Sequence, residues 1–278
     1  MSISGVVQLF VGRPVHPVGP DGRMALSDHL RELRARILKI ALILGLGLAA
    51  ALFFFDQLFD LIYDPYLQAQ QNLPEGSTLP TTSGAGAGLM LYLKLCGLAA
   101  IVGTSPLWLY QIWAFIMPGL HPKERKWSRV FVAIAGPLFF AGVLLGYLTL
   151  PKGLEILIGL NPDPLTNLVE FNEYLSFFSR TLIVFGIAFE IPLFIVLLNL
   201  AGVVSGKALG AHRAWIIVGT FLFAAIATPS ADPFTMTIMA VPMVLLFLLS
   251  EVIARFNDRR RARRKPFADL SPDEASPL

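Results

Sequence analysis

The sequence predicts an all-α integral membrane protein that crosses the bilayer six times, with both termini on the cytoplasmic side. Three observations carry this expectation. Of 278 residues, 55% are hydrophobic and only 15% charged, against about 25% charged in soluble domains, so a soluble fold of this length has no polar skin to cover its core. The apolar residues come in blocks rather than at a strand or helix-face period, and a helical block of about 20 residues matches the ~30 Å hydrocarbon layer. Lysine and arginine, finally, gather on one side of the blocks.

The blocks place spans at 37–58, 89–117, 129–151, 175–201, 214–228 and 234–254. The N-terminal segment, the second and fourth connections and the tail together hold eighteen lysines and arginines, whereas the other three connections hold one, Lys152. The positive-inside rule then sets the orientation, N-in and C-in. The first outside connection, 59–88, carries Asp60, Asp64 and Glu75 and ends in the turn-rich stretch Leu73–Gly88. Asp64-Pro65 is expected to end or redirect the first helix, because proline lacks the amide hydrogen and restricts its neighbour. The second outside connection, 152–174, is again acidic and proline-containing. The third is only Thr228–Asp232, with Asp232-Pro233 reading as N-cap and first turn of the last helix. Ala214–Ala227 offers only 14 residues, about 21 Å of helix. Such a fifth span either thins the bilayer, hides among neighbours, or is rescued by snorkelling flanks.

Three regions follow: an N-terminal extension over 1–25, a membrane domain over 26–256, and a basic then acidic tail over 257–278, both ends disordered. Residues 1–23 lack both a signal-peptide pattern and helical periodicity, and translation is expected to begin at Met24. The single cysteine, Cys96, lies inside the second block, so no intrachain disulfide and no cysteine metal site is expected. The four histidines lie in polar connections without metalloprotease spacing, and no P-loop is present. Neither metal nor cofactor is expected. The tail arginines suit anionic lipid headgroups, with nucleic acid the disfavoured reading. A secondary transporter is the main rival function, but the two halves of the chain do not repeat one another. No nucleophile–base set lies in the spans, which argues against an enzyme.

Asp28-His29-Leu30-Arg31-Glu32-Leu33-Arg34-Ala35-Arg36 resembles the H-L-x-E-L-R-x-R string that opens TatC proteins. The likeness continues in order through Tyr110-Gln111-Ile112-Trp113-Ala114-Phe115, Pro118-Gly119-Leu120, Lys123-Glu124-Arg125, Ala188-Phe189-Glu190-Ile191-Pro192, Thr228-Pro229 with Asp232, and Ala240-Val241-Pro242. The resemblance implies a concave six-helix bundle with short fifth and sixth helices. It also implies a non-enzymatic subunit of the twin-arginine protein translocase in the cytoplasmic (inner) membrane. Such a subunit binds the twin-arginine signal peptides of folded cargo and works with TatA-type and TatB-type partners. It forms homo-oligomers within the receptor complex and is driven by the proton-motive force.

Glu32 and Glu124 are the expected acceptors for the signal arginines, since carboxylates accept bidentate guanidinium bonds. Arg34 and Arg125 are expected to orient them and to hold them when no ligand is bound, and Phe115 belongs to a string tied to signal recognition. A plain surface ion-pair network is the competing reading. Glu190 lies about 15 Å along the fourth span from Arg180, where a carboxyl faces a wet cavity or a partner, or packs as a hydrogen-bonded acid. It is expected to serve a transport step after signal binding. Pro65, Gln111, Thr228 and Asp232 are expected to dock partners or to be structural.

Overall fold

The computed structural model describes residues 26–116, 125–162, 165–200, 202–227 and 233–264. The expected N-terminal extension and the chain beyond residue 264 lie outside them. Within them the order is α1 (Leu26–Leu52), α2 (Phe55–Gln71), β1 (Thr78–Thr81), α3 (Ala87–Gly103), α4 (Ser105–Ile116), α5 (Arg125–Gly159), β2 (Asn167–Glu170), α6 (Phe171–Leu200), α7 (Gly206–Ala211), α8 (Arg213–Ala227) and α9 (Pro233–Arg264). Among the described residues α1, α5, α6 and α9 are long and apolar enough to cross a bilayer, and the bent pair α3–α4 makes a fifth such segment. The apolar α8 has 15 residues, about 22 Å.

The second span is not one helix. α3 and α4 meet at 61°, because Pro106 has no amide hydrogen to continue the ladder and its ring crowds the preceding turn. Two carbonyls near the corner take side-chain donors. Thr104 Oγ1 donates to Ala100 O at 2.7 Å, and the Trp108 indole donates to Ile101 O at 2.8 Å. Gly136 of α5 lies against the Pro106 ring, where a Cβ would come within 3.2 Å.

The first helix turns at Phe53-Phe54 rather than at Pro65. Tightened bonds from Phe53 N to Ala50 O and from Phe54 N to Ala51 O close α1, and Phe54 leaves helical geometry. Pro65 instead lies buried inside α2. It cannot bond Leu61 O, and Tyr147 OH donates there instead at 3.0 Å, while Tyr174 OH donates to the neighbouring Ile62 O at 2.6 Å.

The connection expected over 152–174 is shorter, since α5 runs on through Pro151 to Gly159 and buries Leu154 and Ile158 in the main core. It also contains β2, which pairs in parallel with β1 in the register Thr78↔Asn167 to Thr81↔Glu170. The two connections expected to be unrelated turns are thus joined at one end of the bundle, here called the strand end. At the start of α6 the Glu170 carboxylate accepts the Glu173 amide at 2.8 Å. Burial pushes that carboxyl up, but the amide donors of Glu173 and Asn172 outweigh it and hold it below the usual carboxylate range. The sixth helix is not short: α9 has 32 residues, because the arginine-rich segment continues the helix.

α6 is the central element. In its most apolar stretch 44% of residues are buried, against 11% in α1. Phe171, Leu175, Phe178 and Leu182 build the main core, and Cys96 is fully buried nearby on α3, as its apolar block predicts. α5 and α6 approach through Gly142 and Gly186. A Cβ on Gly142 would sit 2.5 Å from Phe185 O, and one on Gly186 would sit 2.7 Å from the Phe139 ring. Gly142→Ala is therefore expected to destabilise the protein by about 1–3 kcal/mol through overpacking against backbone. Gly97→Ala, where nothing lies within 4 Å, is expected to leave stability within about 0.5 kcal/mol. Thermal unfolding of the detergent-solubilised variants compares the two.

Candidate functional site

At the end opposite the strands, the basic end, α1 and α4 present a small polar and aromatic cluster. His29, Glu32 and Arg36 are spaced to share one face of α1, and Gln111 and Phe115 one face of α4. The His29 and Phe115 rings stack at 4.4 Å and 18°. Arg36 Nε donates to Glu32 Oε1 at 3.0 Å and Arg36 Nη2 donates to the same oxygen. Arg36 Nη1 reaches Gln111 Oε1 at 3.4 Å, a longer contact. Glu32 therefore lies between two rungs that join the helices. Its side chain and that of Arg36 are 15% and 18% exposed.

The guanidinium that holds the carboxylate is thus Arg36, not Arg34. Arg34 is two residues from Glu32, which places it across the helix, and it is exposed. Sequence reasoning chose the nearer arginine, whereas the i, i+4 spacing of Glu32 and Arg36 was the usable signal. His29 was missed as well, although it sits one turn before Glu32 on the same face. Gln111, expected at a partner contact or in a structural role, is buried and faces Arg36. Arg125 opens α5, with its side chain outside the described set. Glu124, Thr228 and Asp232 lie outside the described residues altogether.

Glu190 is separate from this cluster. It lies ten residues before the end of α6 at Leu200, about 15 Å inward. Only 4% of it is exposed, and neither carboxyl oxygen has a hydrogen-bond partner among the described residues. Helical spacing sets it on the face that carries Gly186, packed on Phe139, and Leu193, packed with Ala135 and Trp113.

A third polar group was not anticipated. Glu251 on α9, 2% exposed, accepts Arg213 Nε at 2.9 Å and Nη2 at 2.8 Å, and Arg255 Nε at 2.8 Å. One turn beyond, Asp258 accepts Asn199 Nδ2 at 2.9 Å and the Gly206 amide at 2.7 Å. Together they pin α7 and the start of α8 onto α9. Glu251→Gln leaves two guanidiniums without their counter-charge, and a lost charged hydrogen bond costs about 1.5–3 kcal/mol. It is expected to lower the melting temperature by several degrees. Glu155→Gln, which weakens only the exposed Lys152 pair and the exposed Asn72 bond at the strand end, should change it little; differential scanning fluorimetry of both variants is the check.

Residues 28–242 match the family model described as Sec-independent protein translocase protein (TatC). The TatC protein of Frankia casuarinae is 42% identical over 268 residues, covering 93% of this chain and 74% of the relative. That of Deinococcus radiodurans is 35% identical, covering 83% of this chain and 85% of the relative. A crystal structure of the twin arginine translocase receptor TatC in DDM superposes with a TM-score of 0.68 at 30% identity, covering 81% of this chain and 99% of that one.

Proposed function

Because this chain belongs to the TatC family of Sec-independent protein translocase proteins, it is a protein-translocase subunit of the membrane, and we propose that its basic end reads the twin-arginine signal. The observation that carries the reading is the Glu32 carboxylate, sheltered beside Phe115 and already seated on a guanidinium. A site that accommodates one planar, doubly donating cation has the chemistry to accept another. Glu124 supplies the second carboxylate in this reading, with Arg34, Arg125 and Phe115 lining the approach. The eighteen-to-one distribution of basic residues supports a cytoplasmic placement of both termini and of this site. With α8 as a short fifth span, the chain crosses the membrane six times. TatA-type and TatB-type subunits and further copies of this chain complete the translocase, driven by the proton-motive force.

Crosslinking of the membrane-embedded protein to Arg-Arg and Lys-Lys signal peptides tests the reading. Removing one carboxylate from a charged bond worth roughly 1.5–3 kcal/mol should weaken Arg-Arg signal binding about tenfold to a hundredfold. Glu32→Ala combined with Glu124→Ala should lose most of the preference for arginine over lysine. Equal binding of both signals by the unaltered protein would place the reading of the arginines elsewhere.

Glu190 serves a later step in this proposal, because it sits about 15 Å from the basic end, beyond reach of a peptide waiting there. Glu190→Gln is expected to retain signal crosslinking while export of a folded reporter falls. Loss of crosslinking in that variant would move Glu190 into the recognition step.

A further inference from the structure

We propose that Arg36 is a built-in competitor for the signal's guanidinium, so that it sets the affinity threshold a signal peptide must exceed. The inference rests on the reading of Glu32 as a signal acceptor. Both bonds from Arg36, through Nε and Nη2, fall on Glu32 Oε1. A fork-to-fork pair with an incoming arginine needs both carboxylate oxygens, and Oε1 is already doubly donated. The signal forms its full pair only after Arg36 leaves.

Gln111 gives Arg36 somewhere to go. Its amide oxygen is buried and stands 3.4 Å from Arg36 Nη1, too long for a strong bond in the resting arrangement. A small rotation of the guanidinium away from Glu32 shortens that contact, so the displaced arginine exchanges one acceptor for another. The stacked His29 and Phe115 rings keep the two helices together on the other side of Glu32 while this happens. Competition of this kind costs every signal the same factor. It leaves the preference for arginine over lysine unchanged but drops weak ligands below occupancy.

The test measures binding of fluorescent Arg-Arg and Lys-Lys signal peptides to the full chain in nanodiscs. Arg36→Gln is expected to tighten both about tenfold, the loss of one charged hydrogen-bonded competitor, with their ratio unchanged. Lys39→Gln removes the same charge one turn away without removing a hydrogen bond to Glu32, and should tighten either affinity far less than Arg36→Gln does. Gln111→Leu, which removes the second acceptor, should weaken both. Tightening cannot arise from damage to the fold. If Arg36→Gln proves unstable, Arg36→Lys carries the test, with intermediate tightening expected because lysine lacks the fork. Unchanged or weaker binding on loss of the Arg36 guanidinium, or equal tightening by Lys39→Gln, overturns the proposal while leaving Glu32 as an acceptor. Unchanged binding in Glu32→Gln overturns the acceptor reading and the competitor with it.

Discussion

A backbone carbonyl left unpaired in hydrocarbon costs several kcal/mol, and the shape of this bundle depends on how that constraint is met where prolines break the ladder. At Pro106 the Trp108 indole donates to Ile101 O, the Thr104 hydroxyl adds a second donor to Ala100 O, and the chain bends by 61°. At Pro65 two tyrosines reach across from α5 and α6, and α2 stays continuous. The same residue type thus makes a corner in one place and a docking point in the other. The difference lies in where the replacement donors come from. Donors within the bent pair itself let the segment pivot, whereas donors from other helices fasten it.

That fastening makes the strand end a cross-linked half of the bundle. Tyr147 and Tyr174 tie α2 to the central helices, the β1–β2 ladder joins the two connections, and Tyr66 shares a hydrogen bond of 2.9 Å with Thr78. Among the described residues the basic end has no such ladder. α1 packs on α3 at Gly47, against Ala100 and Thr104, and its start is held to α4 by the His29–Phe115 stack and the Arg36–Gln111 contact. The groups that hold the start of α1 are therefore the groups around Glu32. Any ligand that rearranges them also loosens or tightens α1 against α4, which couples recognition to the position of the first helix.

The spans were legible in the sequence because apolar blocks of membrane length leave few alternatives, and the limits of α6 and the start of α9 follow from them closely. Connections were less legible. Pro65 was expected to end or redirect a helix and the third span was expected to stop at Pro151, yet both lie inside helices, and at Pro65 Tyr147 from α5 supplies the donor that proline lacks, information that is not local. Among site residues, Glu32, Phe115 and Glu190 stood in recognisable strings. Arg36 was passed over for Arg34 because adjacency in sequence was taken for adjacency in space, although helical geometry favours the residue four positions on. Glu251 lay inside the last expected span, 234–254, and was not singled out. Only the fold brings Arg213 to it from 38 residues away.

The two buried carboxyls, Glu251 and Glu190, show how differently one residue type is accommodated. Both are almost wholly removed from solvent. Glu251 meets two guanidiniums and serves as a fixed structural counter-charge. Glu190 lies midway along the most buried helix, flanked by the Gly186–Phe139 and Leu193–Ala135 contacts, with no donor among the described residues. A carboxyl in that position costs several kcal/mol unless a donor reaches it. Packing alone does not offset that cost, since an apolar residue of similar size would fill the space more cheaply. The donor for Glu190 therefore lies outside the described residues, and a fixed counter-charge such as Glu251 has is not what holds it there.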